Sequence, residues 1–453
     1  MLKPPSKPHP LAVGKLLDDP RIIALPLRTD VKKTLARDEA NRQRQGDFPS
    51  DNTIDGSVQR IIDITETFLA PGYPRALNAT GVLLHTGLGR APLADSAVFA
   101  MQQAAEYCLL EVDKDTGERG NRWLEIERKL ALLTGAEAAL VVNNCASAVL
   151  LALAGIASRK EVIVSRGELV EIGGGFRMPD VMANAGVKRV EVGTTNRTRL
   201  KDYQSAITEK TAALLKVHPS NYRVVGFTES ASLHDLVELA HTNGLPLFED
   251  LGNGLLFDLT PYKLPHEPTL LESIAEGVDL VAVSGDKCFG GPQAGILLGK
   301  KEWIAKCRKH ALLRAVRPDK LTLAALDATV ILWLSKRELE IPFFTMLSQT
   351  STQLKNRAEN IIKTIGETFQ QKYSIKIVED EAMIGSGAVP QMPFPDISLS
   401  MQTNSESIAH LAKRLRLLPI PLFSVVKENS IRIHLRSVLP KDDFLLAELI
   451  AKL

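Results

Sequence analysis

Between about Arg75 and Pro318, short aliphatic or β-branched runs alternate with helical stretches, and that alternation constrains the fold more than any other feature. The runs predict strands at residues 139–142, 161–164, 188–192, 213–217, 245–249, 278–283 and 294–298. Helical patterns lie between several of them, as at 147–157 and 232–242. Strands that are apolar throughout are buried on both faces, so the pattern implies a mostly parallel sheet covered by helices. A chain of 453 residues is long enough for one large catalytic domain with smaller domains beside it.

The flanks read differently. Residues 1–74 open with the Pro-rich stretch PPSKPHP, which cannot be helical throughout. A polar helical pattern follows around 30–45 and a more amphipathic one around 56–69, and APGYP at 70–74 makes a linker. We expect a small helical N-terminal domain over 1–74 and a catalytic domain over 75–318. After Pro318 comes an apolar-periodic helix at 319–336, within a connecting segment 319–341. Residues 342–453 read as a small α+β domain, with helices near 352–371 and 441–453 and strands near 374–378 and 431–434.

Bulk properties exclude several classes. A formal net charge of +2 does not mark the whole chain as a nucleic-acid binder, so any such site must come from local charge. Cys108, Cys145, Cys288 and Cys307 form no CxxC pair, so no metal site is expected and free thiols in a reducing compartment are. The N-terminus lacks an apolar leader and no 18-residue apolar run occurs, which points to the cytoplasm and away from a membrane.

Three features follow one another along the predicted sheet. The first is strand–NNCASA–helix at 143–148. A small-residue turn that opens a helix exposes backbone N–H groups at the positive end of the dipole, a seat for phosphate. Simple helix capping by Asn143 or Asn144 explains the same residues. The second is Asp250, in FEDLGNG, at the end of an apolar strand, where open parallel sheets gather ligands. A carboxylate there can keep a pyridinium nitrogen protonated; a turn cap is the alternative. Asn253 reads as a turn residue. The third is SGDKCFGGPQ, which places Lys287 in a small-residue loop just past a buried strand. Partial desolvation in such a loop frees an amine for Schiff-base formation. Phosphate turn, acid, then lysine 37 positions later together point to pyridoxal phosphate.

Other residues are less decided. His218, in KVHPSNY, either faces the cofactor ring or is structural, and both readings stay open. Cys288 reads as packing and Gly173–Gly175 as a flexible turn. Between Lys300 and Lys320 stand eight basic residues and two acids. Arg314 and Arg317 would share a face if helical, and arginine forks suit phosphate-like anions; a solvated basic face is the alternative. Arg90, in HTGLGRAP, is a further anion candidate, with Arg119 and Arg122 held more loosely.

The stretches NATGVLLHTGLGRAP, GAEAALVVNNCASAVLL, SRGELVEIGGGFRMPDVM, LLKVHPSNY, DLGNG, SGDKCFGGPQAGI and RAVRPDKLTLAAL resemble the bacterial selenocysteine synthase family, the L-seryl-tRNA(Sec) selenium transferases. The resemblance runs from about Arg75 to Asp327 and extends weakly further, including IGSGAVP at 384–390. It implies a fold-type-I pyridoxal-phosphate transferase. In that reading Lys287 binds the cofactor, Asp250 partners the pyridinium, and Asn144 with Cys145 and Ala146 makes the phosphate turn. His218 and Ser284 complete the cofactor site. Arg90, Arg314 and Arg317 would hold selenophosphate, with Asp286 beside them. The reaction implied converts seryl-tRNA(Sec) to selenocysteinyl-tRNA(Sec) through a cofactor-bound aminoacrylyl intermediate. The N-terminal domain would grip the tRNA, and copies would assemble as a decamer, a pentamer of dimers. Four positions depart from the family: Cys145 replaces a third Asn, Gly87 replaces an Asn, and Cys288–Phe289 replaces two leucines. Two rival readings share parts of this pattern: a small-molecule pyridoxal-phosphate lyase or transferase, and a tRNA-binding assembly protein without chemistry.

Overall fold

The computed structural model describes residues 12–45, 53–120, 122 and 124–453; the Pro-rich opening lies outside them. The chain divides into two compact units, Met1–Arg75 and Ala76–Leu453. The first contains the helices Val13–Leu17, Pro20–Ala24, Thr29–Arg44 and Ile54–Leu69. The last of these starts on Thr53, whose side chain accepts the Gly56 N–H at 3.0 Å. Leu16, Ile22, Ala36, Val58 and Ile61 make a small apolar core. Buried Glu39 is matched by Arg60 at 2.6 Å and Arg42 at 2.9 Å. Residues 70–74, read as a linker, are irregular and exposed.

In the second unit all seven predicted runs are strands of one sheet. Across it they are ordered Ala138–Val142, Gly295–Gly299, Leu280–Ser284, Leu247–Gly252, Thr211–Val217, Glu161–Ser165 and Lys188–Val192. Only Gly295–Gly299 runs antiparallel to its neighbours; the other pairings are parallel. Every residue of Glu161–Ser165, Leu247–Gly252 and Leu280–Ser284 is buried, which is why these runs are mostly apolar without alternation. Successive side chains still serve opposite faces: Val162 and Val164 enter one core, Ile163 the other. Helices Cys145–Ala157, Met178–Asn184 and Lys301–Lys309 cover the first face. Leu124–Thr134, Leu233–Thr242 and Lys320–Leu334 cover the second. The expected connecting helix is therefore Lys320–Leu334, started by the Asp319 side chain on the Leu321 and Thr322 N–H groups. Its Leu323, Leu326 and Val330 belong to the sheet's core, so it is a covering layer as well as a connector.

A second, six-stranded sheet has the order Leu77–Ala79, Leu422–Lys427, Ser430–His434, Phe394–Met401, Lys376–Gly385, Val82–Leu84. Its two edge strands come from the start of the segment assigned above to the catalytic domain, so residues 77–84 belong with the C-terminal sheet instead. The helix expected over 352–371 is two helices, Ser351–Ile365 and Glu367–Lys372, broken at Gly366 with φ of 85°. Strands Phe394–Met401 and Leu422–Lys427 and helix Ile408–Arg416 were not expected. Polar residues hide the first: Asp396, Ser398 and Ser400 are all buried in it. Val82–Leu84 pairs in parallel with the end of Lys376–Gly385, Gly385 opposite Leu84. Two loops thus leave this sheet together, one carrying Arg90 and the other Gly387.

Candidate active site

The parallel strands end at one edge of the large sheet, and a cavity of about 240 Å³ opens there. Arg90, Asn144, Cys145, Ala146, His218, Asp250, Ser284 and Lys287 all line it. The sequence assigned each of these eight to the site, and the fold brings them together from five separate stretches of chain.

Lys287 follows the buried strand Leu280–Ser284 and is itself only 8% exposed. Asp250 lies within Leu247–Gly252 and is equally buried. Gly252, at φ of 67°, sits against both: a Cβ there would lie 3.6 Å from Asp250 Oδ1 and 3.8 Å from Lys287 Nζ. Burial pushes the Asp250 carboxyl up to about 6, against the opposing pull of Lys287 and His218. A carboxylate so placed is short of positive charge, and a protonated ring nitrogen is the kind of group that supplies it. The residues present therefore fit a pyridine cofactor.

The structure shows the capping reading of the turn directly. Asn144 is the N-cap of Cys145–Ala157, its side chain accepting the Ser147 N–H at 2.8 Å. That side chain is thereby occupied, while Cys145 and Ala146 place the first turn of a 13-residue helix on the cavity wall. Cys145 Sγ is 3.8 Å from Asp250 Oδ1, and burial first, then the Asp250 charge, pushes its thiol well above the ordinary range. Cys145 is thus a neutral neighbour of Asp250.

His218 does not stand alone. Its ring Nε2 lies 2.8 Å from Glu267 Oε1, and its backbone N–H donates to the Asp250 carbonyl at 2.9 Å. Glu267 Oε1 also accepts the Val389 N–H at 3.1 Å, from the loop leaving the six-stranded sheet. In that loop Gly387 has φ of 103°, and a Cβ there would overlap Lys287 Cδ. Sequence reasoning assigned neither Glu267 nor Gly387 to the site. The IGSGAVP stretch carried the only signal, a glycine pair in the weaker part of the resemblance.

Asp286 does not line the cavity itself but binds two residues that do. Its Oδ2 binds Arg90 Nη1 at 2.8 Å and its Oδ1 accepts the Ser284 hydroxyl at 2.6 Å. It holds Arg90, itself in the left-handed region at φ of 64°, on the cavity wall. Arg314 and Arg317 do not line this cavity. Arg314 lies in the short helix Leu312–Ala315, and Arg317 falls past its end, 3.7 Å from Glu111. They do not share a helical face, because Pro318 and the Asp319 cap end the helical path first. Arg119 and Arg122 also bind Glu111. Much of the basic run is structural: Lys300 pairs with Asp279, Arg308 with Glu127, and Lys306 lies over the Trp303 ring.

The remaining readings resolve simply. Asn253 is fully buried and bonds Leu255 N–H and the Pro268 carbonyl, as a turn residue should. Cys288 packs in a core with Leu83 and Phe343, and burial pushes its thiol up to about 12. Gly173–Gly175 turns the short hairpin Glu171–Ile172 and Phe176–Arg177, with Gly173 on the cavity wall. Among the described residues no cluster of His, Cys, Asp or Glu could hold a metal ion, and no helix is long and apolar enough to cross a membrane.

Known proteins match this chain along most of its length. It is 47% identical over 402 residues to an L-seryl-tRNA(Sec) selenium transferase of Carboxydothermus hydrogenoformans, covering 88% of this chain and 85% of that one. It is 41% identical over 431 residues to the protein of that name from Geobacter sulfurreducens, covering 94% and 92%. Among solved structures, D-glucosaminate-6-phosphate ammonia-lyase superposes with a TM-score of 0.59 at 22% identity, over 86% of this chain and 98% of that one. That likeness concerns the fold, which is fold-type-I α/β as expected. The model of the L-seryl-tRNA selenium transferase family matches residues 76–439, and the chain belongs to that family.

Proposed function

We propose that this chain converts seryl-tRNA(Sec) to selenocysteinyl-tRNA(Sec), using pyridoxal 5′-phosphate held by Lys287 and selenophosphate as selenium donor. Family membership supports the reaction. One observation carries the site: a buried amine and a buried carboxylate short of positive charge line one cavity beneath a helix N-terminus. Bound there, the cofactor supplies an electron sink for bond changes at the serine Cα and Cβ.

The chain's own residues do the rest. The first turn of Cys145–Ala157 would hold the cofactor's phosphate. Asp250 would keep its ring nitrogen protonated. Lys287 would hold the cofactor, and its Nζ is the base placed to take a proton from the substrate Cα. His218, steadied by Glu267, lines the cavity. Arg90, held by Asp286, receives the oxyanion of the selenium donor. Arg314 and Arg317 enter this reading only through the resemblance.

The domain assignments follow the same reading. The helical unit before residue 75 grips the tRNA, the rest of residues 75–318 carry the cofactor once strands 77–84 are counted with the C-terminal sheet, 319–341 connect, and 342–453 form most of the small domain. Copies assemble as a pentamer of dimers in the cytoplasm. Exposed Tyr107 and Leu109 are apolar surface suited to burial between copies.

The test is single-turnover conversion with selenophosphate, comparing seryl-tRNA(Sec) with free serine. The wild type should act on the tRNA ester, and Lys287→Ala should lose both turnover and the cofactor's absorption. Activity on free serine alone contradicts the substrate; an active Lys287→Ala contradicts the site.

A further inference from the structure

A second and larger cavity, about 580 Å³, adjoins the first along the same sheet edge. Val217 and His218 line both. Its floor is acidic. Glu168 accepts the Val217 N–H at 2.9 Å and lies 3.6 Å from Lys216 Nζ. Glu267 accepts from Val389 and faces His218. Glu249 is 2% exposed, and its Oε2 is buried without a hydrogen-bond partner. Three carboxyl groups thus surround one lysine and one histidine.

The mouth is mixed in charge: exposed Glu229 lies there but is paired with Arg199 at 2.9 Å. Arg197 and Arg223 are exposed on it. An Arg223 guanidinium nitrogen lies 3.2 Å from the Met392 sulfur, a weak acceptor that leaves its charge unmatched. Tyr222 lines the cavity with its hydroxyl tied to the Gly167 carbonyl, which steadies the ring.

We propose that this second cavity seats the terminal nucleotide to which the serine is esterified, its base and ribose inward and its 5′-phosphate at the arginine mouth. The inference rests on the tRNA-ester reading above. A serine bound at Lys287 is one ester bond from a ribose, so the nucleoside must occupy space that adjoins the cofactor cavity. This cavity shares a wall with it, and its volume falls in the range of roughly 300–1,000 Å³ usual for small-molecule sites. Carboxylates accept hydrogen bonds from ribose hydroxyls and exocyclic amines, as the acid of a dinucleotide fold does at the ribose. The same floor repels phosphate, which the guanidinium groups outside attract. An aromatic ring on the wall offers a stacking surface for a base.

The experiment uses the full-length holoenzyme, with adenosine 5′-monophosphate as probe. Arg223→Glu reverses the charge at the mouth, and Thr228→Trp fills the cavity from an exposed wall position. Unchanged cofactor absorption shows that each variant is folded and loaded. Wild type should bind the nucleotide by calorimetry and be inhibited by it competitively against seryl-tRNA. Each variant should bind it at least tenfold more weakly and show a tenfold or greater fall in kcat/KM, carried by KM. Variants within twofold of wild type on both readouts, or a wild type that does not bind the nucleotide, overturn the inference. A wild type that binds the nucleotide but cannot convert seryl-tRNA supports the seat and contradicts the function proposed above, so the two fail separately.

Discussion

Both sheets of the second unit bury carboxylates, and Asp396 and Asp250 among them are treated in opposite ways. In the six-stranded sheet Asp396 binds His434 Nδ1 at 2.9 Å and accepts the Ile397 and Arg436 N–H groups. Its neighbour Asp380 is pushed up by burial, but Lys427, Ser398 and His434 outweigh that and hold it below the usual range. In the seven-stranded sheet Asp250 gathers no comparable set of donors, and burial wins. A buried acid with its partners already in place is part of the scaffold. One left short of charge at a strand end marks where a ligand must complete the structure.

Three substitutions sharpen or break that contrast. The largest effect is expected at Asp396→Ala, which strands His434 in a buried site. Chemical denaturation should show a loss of about 3–5 kcal/mol, and a loss below 1 kcal/mol would erase the distinction between the sheets. Asp250 should behave in reverse in cofactor-free protein. Its folded pKa of about 6 lies above the ordinary 3.8, so its favourable contribution is full below pH 4 and is lost as pH rises through 6. Relative to Asp250→Asn, apo wild type should weaken across that window by an amount on the order of 3 kcal/mol. Cofactor should remove the difference. Flat, parallel pH curves for the two proteins would contradict the account. The smallest effect is expected at Gly387→Ala, where the added Cβ meets Lys287 Cδ and φ is positive. Stability should fall by about 1–2 kcal/mol, while kcat falls about tenfold. A stability loss with no change in kcat would make the loop mere packing.

The same contrast explains what could be read from the sequence. Strands buried on both faces by apolar residues, such as Leu280–Ser284, announce themselves and carry Asp250 and Lys287 at their ends. Phe394–Met401 does not, because its buried face includes Asp396 and Ser398, whose partners His434 and Asp380 lie far off in sequence. Strands at 77–84 went unpredicted, within the segment assigned to the catalytic domain, because nothing local says that Leu77 pairs with Leu422. Glu267 and Gly387 were missed as site residues for the same reason: each matters through a contact more than 45 residues away, with His218 and Lys287 respectively. Arg314 and Arg317 do not share the helical face that their spacing would give, since the helix Leu312–Ala315 ends before Arg317.

The central claim is that the amine beside Asp250 is the one that captures the cofactor. Borohydride reduction of the loaded protein followed by peptide mapping tests it most directly. The pyridoxyl group should be found on Lys287, at about one per chain. Its recovery on another lysine, or on none, would contradict the account.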